Sequence, residues 1–291
     1  MVMKRSSNAL RGRRGRKGFK LALLFLLGGV LFGGLRYAST GDGPERSKGN
    51  AAADVLEASP GRALRQGKDE TLQPPLEWIE FVTGGADENE ALPLVLAIHG
   101  LGDRPEDFAV LFDGLEAKAR FVIPRAPRPY YGGYGWTLER ASGGDLEALR
   151  RELNVRAEQL ETLLAAQLKT KKTLGAPIAI GFSQGAMLTY LLATRAEPIL
   201  GVAIPIAGLL LDEARLEKRA PKEAPRIHAF HGDADPLIPF ATGERTARKL
   251  AQRGYTITFH RGAGVPHRIP GAYRDAIMRT LKRAIDEVGV Q

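Results

Sequence analysis

Ser183 lies at the centre of Gly181-Phe182-Ser183-Gln184-Gly185, a serine with glycines two residues to either side. That spacing is the signature of a nucleophile elbow, a turn from strand to helix so sharp that the serine takes strained backbone geometry and exposes its hydroxyl. Side chains at the two glycine positions would collide with the neighbouring strand and helix. The flanks agree: Ala176-Pro177-Ile178-Ala179-Ile180 reads as a buried strand, and Gln184 to Thr194 reads as an apolar helix.

A serine nucleophile needs a base to take its proton and an acid to orient the base. An elbow of this kind draws the acid and then the base from later in the chain. Downstream, the strand Arg226-Ile227-His228-Ala229-Phe230 runs into His231-Gly232-Asp233-Ala234-Asp235-Pro236. The strand Tyr255 to His260 is followed by the loop Arg261 to His267. Both loops lie past the carboxyl ends of strands, where open α/β sheets build their sites. Of the five histidines, His99, His228 and His231 precede the candidate acids, and His260 ends a strand as an edge histidine. His267, in a glycine-containing loop, is left as the base. Asp233 and Asp235 compete as the acid. Asp235 is preferred because it lies further past the strand, directly before Pro236, whereas Asp233 is expected to bond the backbone of its own turn.

Attack on a carbonyl also needs two N–H donors for the developing oxyanion. One is expected from Gln184, next to the nucleophile. The other is expected from Leu101, in the loop His99-Gly100-Leu101-Gly102-Asp103 that follows the apolar run Leu92 to Ile98.

Taken together, His99 to Asp103, Gly181 to Gly185, His231 to Pro239 and His267 resemble the phospholipase/carboxylesterase family of α/β-hydrolases, which includes the acyl-protein thioesterases; the resemblance covers roughly residues 76 to 287. It implies Ser183 as nucleophile, Asp235 as acid, His267 as base, and Leu101 and Gln184 as oxyanion donors. It further implies hydrolysis of an ester or thioester through an acyl-serine, with a small-molecule ester or lipid as substrate. No metal or cofactor is expected, and with no cysteine in the chain thiolate chemistry is excluded. The family commonly carries Trp-Phe-Asp after its third strand; here Trp136 is followed by Thr137 and Leu138. Tyr134 and Trp136 are expected to wall the substrate pocket, with plain aromatic packing as the alternative. Leu209, with Leu210 and Leu211, either lines an acyl pocket or packs in the core. The same triad serves peptidases and polyester hydrolases, and a catalytically silent binding protein on the same fold is a further alternative.

The elements that must position these residues form one domain, residues 76–291. Strands are expected near 76–83, 92–98, 120–123, 176–181, 201–206, 226–231 and 255–260. They alternate with helical stretches that include 147–169 and a closing helix with Tyr273, Ile277 and Leu281 at helical spacing. That alternation predicts an α/β fold, a mostly parallel central sheet covered by helices on both faces. The connection 207–225 is too short for a large lid.

Ahead of the domain the chain changes character. Residues 1–20 carry eight Lys or Arg and no acid, so of a net charge of +9 everything later totals +1. The basic character belongs to this tail, and a nucleic-acid-binding face on the domain is not expected. Leu21 to Leu35 is an uncharged run of 15 residues. Cations before an apolar stretch read as a signal, retained as a membrane anchor or cleaved to release a secreted protein. Retention is favoured because Ser39-Thr40-Gly41 is a mediocre cleavage pattern. The positive-inside rule then puts the domain outside the cytoplasm, in the periplasm if the source is bacterial. Residues 36–75, rich in Gly, Ala, Ser and charge, read as a flexible linker. Oligomeric state leaves no mark in the sequence.

Overall fold

A computed structural model describes residues 62–70, 75–138, 144–211, 216 and 220–290. The basic segment, the apolar run and most of the stretch read as linker lie outside the described residues, as does part of the 207–225 connection. No helix among the described residues is long and apolar enough to cross a membrane.

Eight strands form one sheet: β1 (Arg65–Asp69), β2 (Leu76–Val82), β3 (Leu94–Ile98), β4 (Arg120–Pro124), β7 (Ile178–Phe182), β8 (Val202–Ile206), β9 (Arg226–Gly232) and β10 (Ile257–Gly262). Their spatial order is β1-β2-β4-β3-β7-β8-β9-β10. From β4 to β10 every neighbouring pair is parallel; β2 runs antiparallel to both β1 and β4. A separate hairpin, β5 (Arg128–Tyr130) and β6 (Gly133–Gly135), follows β4. The helices are α1 (Pro105–Ala109), continued by a 3-10 turn at Val110–Phe112, α2 (Leu146–Thr170), α3 (Gln184–Ala193), α4 (Phe240–Gln252) and α5 (Gly271–Gly289).

The central strands are apolar on consecutive residues because both sheet faces are covered. In β3, Leu94, Leu96 and Ile98 join the cluster beneath α2 and α3, while Val95 and Ala97 join the cluster beneath α1 and α5. Asp145 caps α2, accepting from the N–H groups of Glu147 and Ala148. Every residue of α3 is buried, which is why its sequence is apolar all round rather than striped.

The seven strands expected from the sequence are present, with ends shifted by up to two residues. The additional strand β1 falls inside the stretch read as linker. It is a short, largely polar edge strand lying over the Trp78 ring, and it has no apolar run to betray it. The hairpin β5–β6 was likewise not expected, since its six strand residues include two glycines and a proline.

The β2–β4 edge holds a buried ion cluster. Glu80 accepts from Arg120 Nη1 at 2.5 Å and from Lys171 Nζ at 2.8 Å, and Arg120 Nη2 reaches the Glu88 carbonyl at 2.5 Å. The Arg120 and Glu80 side chains are 3% and 7% exposed, so removing either leaves the other's charge stranded from water. Glu80→Ala is expected to destabilise the fold by about 3–5 kcal/mol, read as a lowered denaturation midpoint with an unchanged slope.

Candidate active site

Ser183 sits at the β7–α3 junction with φ 56° and ψ −114°, a left-handed conformation that costs a non-glycine residue on the order of 1–3 kcal/mol. The surroundings enforce it. Ser183 N–H donates to the Ile206 carbonyl at 3.0 Å, and its own carbonyl accepts from Met187 N–H at 3.1 Å. A Cβ on Gly185 would stand 2.0 Å from the Ile98 carbonyl oxygen, and one on Gly181 would stand 2.4 Å from the Gly185 carbonyl oxygen. Only glycines let α3 start this close to β3 and β7.

Ser183 Oγ–H donates to His267 Nε2 at 2.9 Å, and His267 Nδ1–H donates to Asp235 Oδ2 at 2.7 Å. The carboxylate can only accept, so the Nδ1 proton is fixed and Nε2 is left free to receive the serine proton. The Asp235 side chain is fully buried. Burial pushes its carboxyl upward, but hydrogen bonds from His231, His267 and the Ile238 N–H outweigh that and hold it well below the usual carboxylate range. Its second oxygen accepts from Leu237 N–H and Ile238 N–H, both at 2.8 Å.

Asp233 is a neighbour with a different duty. Besides the backbone of its own turn, as expected, its carboxylate reaches the loop that carries His267. Gly264 N–H donates to it at 2.6 Å and Arg261 Nε at 2.8 Å. Two backbone bonds join the same loops, Asp233 N–H to the Gly262 carbonyl and Ala234 N–H to the Val265 carbonyl. His260, on edge strand β10, stacks on Phe230 at 4.2 Å.

The N–H groups of Leu101 and Gln184 find no acceptor among the described residues, as oxyanion donors require. The loop carrying Leu101 is braced from three directions. His99 is fully buried: its Nε2 accepts from Ala126 N–H at 3.2 Å, so Nδ1 carries the proton and donates to the Gly100 carbonyl at 2.7 Å. Burial lowers this imidazole to about 4, keeping it neutral. Gly102 N–H and the Asp103 carbonyl pair with Tyr134. Trp136 Nε1 donates to the His99 carbonyl at 2.9 Å. The Gln184 carboxamide completes the brace, accepting from Trp136 N–H at 3.0 Å and donating to Thr137 Oγ1 at 2.9 Å.

Two of the three residues expected to meet substrate, Trp136 and Leu209, are buried. Trp136 is 1% exposed and holds the Leu101 loop instead of walling an open pocket. Tyr134 is half-buried, its backbone on that loop and its ring under the Arg125 guanidinium. Leu209 packs in the core beside α2 and α3. A cavity of about 120 Å³ opens elsewhere, lined by Asp103, Asp107, Phe108, Val110, Leu111, Phe182 and Ile269. Three of these adjoin the segments of interest: Phe182 precedes Ser183, Ile269 follows His267, and Asp103 follows Leu101. The Phe182 ring also lies 5.0 Å from the His267 ring. Sequence reasoning missed this cavity; the alternation of Phe108, Leu111 and Phe112 with acids after the glycine loop was its one available signal.

The model of the phospholipase/carboxylesterase family matches residues 80–285. The chain belongs to that family. Its members are hydrolases of the carboxylesterase and thioesterase type. Acyl-protein thioesterase 1 of Neurospora crassa is 28% identical over 215 residues, 67% of this chain and 87% of that protein. Acyl-protein thioesterase 1 of Gibberella zeae is 23% identical over 211 residues, 66% and 90% of the two chains. Among solved structures, esterase PE8 superposes with a TM-score of 0.59 at 27% identity, covering 70% of this chain and 99% of its own. Acyl-protein thioesterase 2 of Zea mays, at 21% identity and a TM-score of 0.54 over 71% of this chain and 98% of its own, shares the fold. The α/β-hydrolase fold implied by the resemblance is thus the fold of this phospholipase/carboxylesterase family member.

The two aspartates predict different losses. Asp235→Asn should lower kcat for ester hydrolysis by about 10³–10⁴-fold, because an amide in its place favours the wrong imidazole tautomer. Asp233→Asn should cost far less, since its partners position the loop and touch no reacting atom. Steady-state kinetics on both variants checks the contrast.

Proposed function

We propose that Ser183, His267 and Asp235 form a catalytic triad, and that the protein hydrolyses carboxylic esters or thioesters through an acyl-serine. The observation that carries this reading is the hydrogen-bond chain from the Ser183 hydroxyl through His267 to Asp235, at 2.9 and 2.7 Å, on a strained elbow. His267 Nε2 takes the Ser183 proton as Oγ bonds the substrate carbonyl carbon. The negative charge on the carbonyl oxygen is held by the N–H groups of Leu101 and Gln184. His267 returns the proton to the leaving alcohol or thiol as its bond breaks. A water then attacks the acyl-serine, giving its proton to His267, and the acid departs with Ser183 restored.

The cavity beside Phe182 is the place for the acyl group in this reading. At about 120 Å³ it is somewhat smaller than an engineered cavity of roughly 150 Å³ that holds benzene, so it suits a short acyl chain. With p-nitrophenyl esters from acetate to decanoate, kcat/KM is expected to peak near butyrate and fall toward decanoate. Ser183→Ala should reduce turnover of every ester by at least about 10³-fold while leaving the melting temperature within a few degrees. An alanine variant of full activity would sink the triad.

The segment before the domain supports a membrane setting, with eight cations and then 15 uncharged residues in the first 35. In this proposal the apolar run tethers the enzyme and the domain lies on the non-cytoplasmic side. The full chain should remain in the membrane pellet after alkaline carbonate extraction, and a chain without residues 1–35 should not. The full chain in the supernatant would instead mark the absence of an anchor, and a chain shortened at its N-terminus there would mark a cleaved signal.

A further inference from the structure

The cavity beside the nucleophile has an uneven chemistry. Phe108, Val110, Leu111, Phe182 and Ile269 give it apolar walls, and its other two lining residues are Asp103 and Asp107. Neither carboxylate has a Lys, Arg or His within ion-pair distance among the described residues. Asp103 accepts one hydrogen bond, from the neighbouring Arg104 N–H at 2.9 Å. The Arg104 guanidinium is turned toward Glu106, 3.9 Å away, and reaches Asp107 only through longer-range attraction. Burial raises Asp103 to about 6, and Asp107 adds to the rise by repulsion. Burial likewise raises Asp107, although Arg104 draws it back.

Asp103 is half-buried against these apolar walls, where a carboxylate without a counter-charge is costly, and Asp107 stands exposed beside it. The cost falls when a cation enters. Two phenyl rings, Phe108 and Phe182, line the same space, and ring faces attract ammonium groups, quaternary ones included. An anionic chain end would meet both aspartates. The position matters as much as the charge, since the three segments bearing nucleophile, base and oxyanion donor each supply one lining residue. The Phe182 ring that lines it lies 5.0 Å from the His267 ring, which puts a group held here next to the proposed catalytic residues.

We propose that Asp103 and Asp107 are specificity-determining residues that select esters or thioesters whose acyl chain ends in an ammonium group. The proposal rests on the esterase reading above and narrows its substrate class.

A charge-only comparison tests it in the full-length protein. The p-nitrophenyl ester of 4-(trimethylammonio)butanoate is set against that of 5,5-dimethylhexanoate, its neutral isostere, and against the mono-p-nitrophenyl ester of glutarate. The cationic ester should exceed the neutral one in kcat/KM by about tenfold, the size of one cation–aromatic or screened ion-pair contact. The glutarate monoester should be the poorest of the three. Asp103→Asn and Asp107→Asn, which preserve shape, should each cut the cationic-to-neutral ratio severalfold and improve the glutarate ester. Because the readout is a ratio, partial unfolding of a variant cancels. Equal rates for the cationic and neutral esters, or a preference that both variants leave intact, overturns the proposal. A second measurement needs no turnover: calorimetric titration of the Ser183→Ala chain with methyl 4-(trimethylammonio)butanoate. Binding that weakens severalfold in Asp103→Asn supports the charged cavity even if no ester is cleaved. Absent binding, or binding indifferent to both aspartates, overturns it even if neutral esters are cleaved well.

Discussion

The approach of α3 to β3 sets the rest of the molecule. The first turn of α3 passes so near the end of β3 that a single carbon on Gly185 would strike the Ile98 carbonyl. That closeness forces Ser183 into a left-handed conformation, and its strain is offset by burial of the entire helix behind it. It also brings the start of α3 against Ile98 and His99, where the loop bearing Leu101, the second donor in the proposed mechanism, leaves β3. The elbow and the loop after β3 thus lie together because two pieces of backbone touch.

Strain of this kind persists only when the surroundings over-determine it, and here they do so through polar bonds inside an apolar shell. The Gln184 side chain ties the elbow to Trp136 and Thr137, and the Trp136 indole returns to the His99 carbonyl. Arg156 on α2 donates to the Trp136 carbonyl, so the longest helix joins the same brace. His99 closes the circuit from β3 to the residues after β4 while remaining uncharged. Each of these groups is buried and each finds a partner, so the network can fix geometry without stranding a donor.

The sequence made part of this legible. Strands buried on both faces read as unbroken apolar runs, which is why β3, β4, β7 and β8 stood out, and the glycine spacing marked the elbow without any structure. Elements stabilised by their neighbours did not announce themselves. The edge strand β1 is polar, and the β5–β6 hairpin owes its position to backbone pairing with Gly102 and Asp103, which no composition reveals. Trp136 shows the same limit. An aromatic in a loop near a candidate site suggests a pocket wall, yet its burial and its indole bond make it a brace. The cavity arises from a five-residue helix and a 3-10 turn, too short for a periodic pattern to identify.

The proposed acid and base pose a different problem from the proposed nucleophile. Ser183 and Leu101 follow β7 and β3, strands flanked on both sides, but His267 follows β10, the strand at the sheet's edge. A loop from an edge strand has fewer neighbours to define it, while proton transfer needs its imidazole placed to within a fraction of an ångström. Parallel pairing of β9 with β10 brings their two exit loops side by side, and Asp233 then joins them through Arg261 and the Gly264 N–H. The sequence Asp233-Ala234-Asp235 thus divides one task between two carboxylates. The first fixes the loop and the second fixes the imidazole ring that the loop carries. Their two-residue separation lets a single turn past β9 deliver both, with the backbone bond from Ala234 to Val265 between them.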